Sequence, residues 1–174
     1  PANAVYSAAG LVQVSPSSTD PTYTLKSNKT PKGSVSSYRV VATDAQQGPA
    51  MAKYMLNKGV KTIAIIDDST QYGKGLADQV EQSMKAAGTT VVAREATTDK
   101  TSDFKALLTK IKGMNPDYIF WGGMDDTGAT LVKQLKELGL TSQFAGADGI
   151  CTSKFMELSG AAGKGAICSQ AGMP

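Results

Sequence analysis

Residues Thr62-Ile63-Ala64-Ile65-Ile66 form a continuous apolar run rich in β-branched side chains. Such a run suits a strand buried on both faces of a parallel sheet. It stops abruptly at Asp67-Asp68. Two adjacent carboxylates need partners or water, so the chain is expected to emerge there at the carboxyl edge of the sheet, where open α/β folds gather their ligands. Tyr72-Gly73-Lys74-Gly75 then leads into a helical pattern with Leu76, Val80, Met84 and Ala87 on one face. Strand, polar loop and helix are contiguous, and the loop is a site candidate.

The same rhythm continues: strand 61–66, helix 72–87, strand 90–95, helix 103–112, strand 117–121, helix 127–138, strand 143–146, helix 152–158 and strand 165–169. This predicts an α/β fold, a doubly wound, mostly parallel five-stranded sheet whose right-handed crossovers give strand order 2-1-3-4-5. Upstream, residues 1–10 read as a short helix and Leu11-Val12-Gln13-Val14 as a brief strand. The loop Ser15-Pro16-Ser17-Ser18-Thr19-Asp20-Pro21 follows, dense in hydroxyls and backbone donors. Composition alone leaves it open to being a surface turn. Residues 24–37 lack periodicity and are expected to form a mobile loop, and 38–43 regain β character. Asp44-Ala45-Gln46-Gln47 has capping-box spacing, with Asp44 placed to accept orphan amides of a helix that tolerates Pro49 near its first turn and ends at Gly59.

Two further loops carry chemistry at the same predicted edge: Gly122-Gly123-Met124-Asp125-Asp126 and Gly146-Ala147-Asp148-Gly149. Asp148 stands between small residues, so a cation can approach its carboxylate closely; the alternative is that it caps the turn from Ile150 onward. Asp125 and Asp126 precede a helix and read as capping residues.

Several function classes are disfavoured. The 18 basic and 15 acidic residues intermingle without a Lys/Arg run, which argues against nucleic acid. No apolar run is long enough to cross a membrane. The sequence contains no His, so neither Ser-His-Asp nor Cys-His catalysis can be built from this chain alone. Neither GxGxxG after the leading strand nor GxxxxGKS/T occurs, so no nucleotide cofactor is expected. Asp67-Asp68 at a strand end is similar to the acidic metal pocket of response-regulator receivers, but the third strand ends in Trp121-Gly122-Gly123 where another acid is needed. Cys151 and Cys168 lack CxxC spacing, which argues against zinc and leaves open a disulfide or two reduced thiols. A chain opening on Pro1 inside a helical pattern, with no signal-peptide pattern, is expected to be a mature fragment.

SPSSTDP, DAQQGPAMAKY, IAIIDDSTQYGKGLA, the pair Asp103-Phe104, WGGMDDTGATLVKQLKELGL and GADG keep a mutual spacing by which the chain closely resembles, from end to end, the periplasmic branched-chain amino acid (Leu/Ile/Val) binding proteins. These are type I solute-binding proteins that feed ABC transporters. The resemblance implies two α/β lobes joined by three crossover strands, with residues 1–43 the C-terminal part of lobe 1 and a crossover strand, 44–170 lobe 2, and 171–174 the start of a second crossover. It implies a non-enzymatic protein that captures a free amino acid, branched-chain or otherwise apolar, in an interlobe cleft that closes by hinge motion. Its partners would be that amino acid and a membrane permease, with no cofactor, no metal, no nucleic acid and no direct membrane insertion. The matching positions are Ser17 and Thr19 for the ligand carboxylate, Asp148 for its ammonium, one methylene shorter than the Glu often found there, and Tyr72 against its body. Met124 falls where some relatives carry an aromatic wall, so its flexible thioether could admit a different side chain. The implied location is the periplasm, or the outer face of a membrane by lipid anchor, where oxidising conditions favour a Cys151–Cys168 disulfide. Two other readings stay open: a sensor domain of a receptor or regulator with the same fold, and a metal-dependent enzyme using Asp67 and Asp68, or Asp148, with a divalent ion.

Overall fold

A computed structural model describes residues 2–24 and 29–172. The chain begins with α1 (Ala2–Ala8), β1 (Gln13–Ser15), a 3-10 turn (Pro21–Thr24) and β2 (Ser37–Arg39). There follow α2 (Asp44–Asn57), β3 (Thr62–Asp67), α3 (Gln71–Ala86), β4 (Thr90–Ala96), α4 (Lys105–Lys112), β5 (Tyr118–Gly122), α5 (Asp125–Glu137), β6 (Gln143–Gly146), α6 (Ser153–Ser159) and β7 (Ile167–Cys168). The last five strands make one parallel sheet in the order β4-β3-β5-β6-β7, which is the expected 2-1-3-4-5 counted from β3. β1 and β2 form a separate parallel pair.

Alternation along the two central strands divides the core. Ala64, Ile66, Ile119 and Trp121 face Leu108 and Ile111 of α4 and Leu131 and Leu135 of α5. Ile63, Ile65 and Phe120 face the other way, onto Met51 and Met55 of α2 and Leu76, Val80 and Met84 of α3. Helices therefore cover both faces, which is why the strands read as unbroken apolar runs.

The structure corrects several expectations. The N-cap of α2 is Thr43 and not Asp44: the Gln46 Oε1 accepts the Thr43 N–H at 3.0 Å, so the capping box lies one residue earlier. Asp44 cannot serve as the outer cap because it is buried in the first turn, with its N–H donated to the Thr19 carbonyl at 2.9 Å. Asp67 and Asp68 do not emerge into water; both are only 2% exposed. Asp67 pairs with Arg94 on the neighbouring strand and accepts the Ser69 N–H at 2.8 Å, while Asp68 Oδ1 accepts the Thr70 N–H at 3.0 Å and its hydroxyl at 2.6 Å. They anchor the loop and offer no metal pocket, and among the described residues no group of three or more His, Cys, Asp or Glu could hold a metal ion. Helix α4 starts at Lys105, later than expected, because the Asp103 carboxylate caps the Lys105 N–H at 2.9 Å. β7 is confined to Ile167–Cys168 because Gly165 turns the chain at φ 83°. Residues 25–28 of the expected loop lie outside the described residues, whereas Lys29 and Val35 form an antiparallel bridge around a tight turn.

Candidate ligand-binding site

β6 delivers Asp148 to the carboxyl edge of the sheet, where it opens a 3-10 turn, Asp148–Ile150. The N-terminus of α3 delivers Tyr72, and its first turn is fixed by the N-cap Thr70, whose hydroxyl accepts the Gly73 N–H at 3.0 Å. The two side chains meet: Tyr72 Oη donates to Asp148 Oδ1 at 2.7 Å and accepts the Gly149 N–H at 2.7 Å. Because the amide can only donate, the phenolic proton must point to the carboxylate. Glycine is required at position 149, since a Cβ there would stand 2.6 Å from the Gly123 carbonyl oxygen and 2.9 Å from Tyr72 Oη. Burial, and then the Asp148 charge, pushes the Tyr72 hydroxyl far above the ordinary tyrosine range, so it remains a donor. Asp148 Oδ1 receives a second neutral donor, Gln47 Nε2 of α2, at 2.8 Å.

The opposite wall is the loop between β1 and the 3-10 turn. The Ser15 hydroxyl gathers the N–H groups of Ser17 and Ser18 at 3.3 and 2.9 Å, and Arg39 of β2 donates to the carbonyls of Ser18, Asp20 and Pro21. Asp20 caps Thr22 and contacts the Gln71 amide on α3. Between these walls lies a cleft of about 920 Å³, lined by Ser17, Thr19, Tyr72, Met124 and Asp148 together with Asn3, Gln13, Asp20, Tyr23 and Gln71. All five residues expected from the sequence line one space. Ser17 is exposed, Thr19 is buried, and Met124 is 47% exposed, its carbonyl accepting the Trp121 indole N–H at 3.1 Å.

Asp44 is buried next to this site, its N–H on the Thr19 carbonyl. Burial is the largest cause raising its pKa; the Asp20 and Asp148 charges add to it, and the Thr19 side chain and Arg39 pull the other way. Asp125 and Asp126 sit in the first turn of α5, where Asp126 Oδ1 accepts the Thr127 N–H at 2.7 Å and Asp125 accepts the Thr152 hydroxyl at 2.9 Å; the cap position itself is Met124. Cys151 and Cys168 are joined in a disulfide with Cα atoms 5.6 Å apart, which ties the end of the Asp148 turn to β7. Gln47, Asp44, Asp20 and Gln71 were not expected at the site. The fold rule that puts strand ends at this edge also puts helix N-termini there, and that was the signal available for Gln47 and Gln71.

A parallel α/β domain with a polar cleft at its strand ends, walled on the far side by a loop from a second, smaller sheet, defines a class of small-molecule binding proteins. The chain belongs to the periplasmic binding protein family, whose model matches residues 2–174. It is 33% identical over 169 residues to a Leu/Ile/Val-binding protein homolog from Brucella abortus, covering 96% of this chain and 44% of that protein. A leucine binding protein from Thermotoga maritima is similar in structure with a TM-score of 0.82 at 27% identity, covering 91% of this chain and 43% of that one. The branched-chain amino acid transporter substrate binding protein of Streptococcus pneumoniae, solved with isoleucine, gives 0.79 at 28% identity, with 91% and 43% covered. These relatives are binding proteins by name and not enzymes. The chain spans less than half the length of the relatives it matches.

Proposed function

We propose that this chain contributes the two facing walls of the ligand cleft of an extracytoplasmic amino acid receptor that hands its ligand to an ABC-transporter permease. The observation that carries the reading is Asp148: a carboxylate ordered by two neutral donors, facing a loop of hydroxyls and amides across one cleft. A zwitterion fits that polarity, with its ammonium on Asp148 and its carboxylate on the loop at Ser17 and Thr19. An apolar side chain, branched-chain or similar, then lies between Tyr72 and Met124. To take the carboxylate, the loop amides exchange their contact with Ser15 Oγ for one with the ligand. The names of the relatives support this ligand class, and the family description supports a periplasmic location. On the same reading, residues 1–43 belong to a first lobe and its crossover, 44–170 to the second lobe, and 171–174 to the next crossover.

Titration calorimetry of the complete protein against a panel of L-amino acids tests this. Tight binding of at least one apolar amino acid is expected, and Asp148→Ala should weaken it about 30-fold or more, the cost of removing one partner of a buried charged pair. Silence toward every amino acid would end the proposal.

A further inference from the structure

Gln47 touches Asp148 from behind the cleft, and its chemistry there is specific. It is 3% exposed, on the first turns of α2, far in sequence from both Tyr72 and Asp148. Its amide orientation is dictated by its neighbours: Asp148 Oδ1 at 2.8 Å and the Ser169 carbonyl oxygen at 3.5 Å both accept, so both must meet the NH₂ end. Two helices therefore converge on one oxygen, α2 through Gln47 and α3 through Tyr72. Among the described residues no hydrogen bond reaches Oδ2, which is left for a ligand. Both holding groups are neutral. A Lys or Arg in place of Gln47 would order the carboxylate equally well but cancel its charge and compete with the incoming cation.

We propose that Gln47 is a positioning residue for the amine subsite: it locks the Asp148 carboxylate with Oδ2 presented and its charge intact, and so sets the preference for a charged nitrogen over a neutral group of the same size. The inference rests on the amino acid reading above. It reaches further, because it assigns discrimination to a side chain that need not touch the ligand.

The test compares L-leucine with its α-hydroxy analogue, (S)-2-hydroxy-4-methylpentanoate, as probes on the complete protein and on its Gln47→Met variant, which keeps the volume and removes the donors. The expected result is a loss of about tenfold for L-leucine with little change for the hydroxy acid, because one charge-assisted arrangement is loosened while the rest of the cleft is intact. An equal loss on both probes would show a purely structural role, and no loss on either would show none; each overturns the proposal. Should the wild-type protein bind neither probe, the apolar amino acid found by calorimetry and its own α-hydroxy analogue replace them; the amino acid reading falls only if the whole panel is silent, and the 174-residue chain then decides the positioning alone. By NMR, the Gln47 side-chain amide protons should exchange on the order of 10-fold slower than those of exposed Gln82, and lose that protection in Asp148→Ala. Exchange equal to that of Gln82 would refute it.

Discussion

Asp44 is a buried carboxyl group that the fold leaves partly unsatisfied. It is 2% exposed, one of its oxygens lacks a described partner, and burial together with the Asp20 and Asp148 charges raises its pKa. The folded chain therefore holds this proton more tightly than the unfolded chain does. Stability falls as pH rises from the ordinary carboxylate value of about 3.9 through the raised folded value, and the penalty is complete above that. Asp44→Asn should flatten this slope and make the chain more stable at neutral pH, as read from urea denaturation at a series of pH values. A variant less stable than wild type at neutral pH would show that the ionised form is needed. The contrast with Asp148 explains what the sequence disclosed. Asp148 stood between small residues at the end of a recognisable strand, so its access was legible. Asp44 looked like a helix cap because its burial depends on Thr19 and Gly75, partners remote in sequence, and Gln47 was hidden in the same motif for the same reason.

Tyr72 reaches Asp148 only because α3 is pressed against the end of β5. Gly73 and Gly122 make that contact: a Cβ on Gly73 would collide with the Asp68 carboxylate and the Gly122 carbonyl, and one on Gly122 with the Gly73 carbonyl. These atoms are backbone or hydrogen-bonded, so neither can yield cheaply. Gly73→Ala should cost about 3 kcal/mol in thermal or chemical unfolding, at the upper end of overpacking penalties, and should weaken ligand binding by displacing Tyr72. A neutral substitution would mean the helix is free to slide. Asp117 does a comparable job at the other edge, its carboxylate accepting the N–H groups of Lys61 and Thr62 at 2.8 and 2.9 Å and joining the start of β3 to that of β5. Those two backbone N–H bonds, the largest causes, lower its pKa, so its contribution is present above the ordinary carboxylate value and is lost as pH falls through the folded one. Asp117→Ala should lower stability at neutral pH and leave acid stability unchanged, as read from urea denaturation at a series of pH values. The strands and helices themselves were legible from apolar period. The pairing of Asp67 with Arg94 was not, because it depends on the register that sets Ile65 opposite Arg94 across two strands.

The chain is uneven in how it hides apolar surface. The five-stranded sheet buries Ile63, Ile65, Ile66 and Phe120 completely, whereas around the β1–β2 pair Val5, Val12, Val14 and Val40 are 68%, 66%, 61% and 72% exposed. The disulfide reinforces the well-packed side: closing a separation of 17 residues, it should contribute roughly 3 kcal/mol, so reduction should lower the melting temperature by roughly 6–12 °C. No melting shift on reduction would mean that β7 is held by packing alone. The N-terminal wall of the cleft has no such brace. Among the described residues its ties to the larger domain include the Thr19 carbonyl with the Asp44 N–H and the Asp20–Gln71 contact, while Ala42 of the connecting segment donates to the Ala171 carbonyl. A wall with an exposed apolar back spends binding energy on being ordered before it can hold a ligand. Since the relatives are more than twice as long, the proposed first lobe would cover that back and supply the order in advance. The isolated chain should therefore bind any amino acid on the order of 100-fold more weakly than the complete protein in parallel calorimetry, with fast amide exchange in residues 2–24 and slow exchange in β3 and β5. Equal affinity in the two would mean that the loop at Ser17 and Thr19 is already set by Arg39 and Ser15, and that the cleft needs no second half to recognise its ligand.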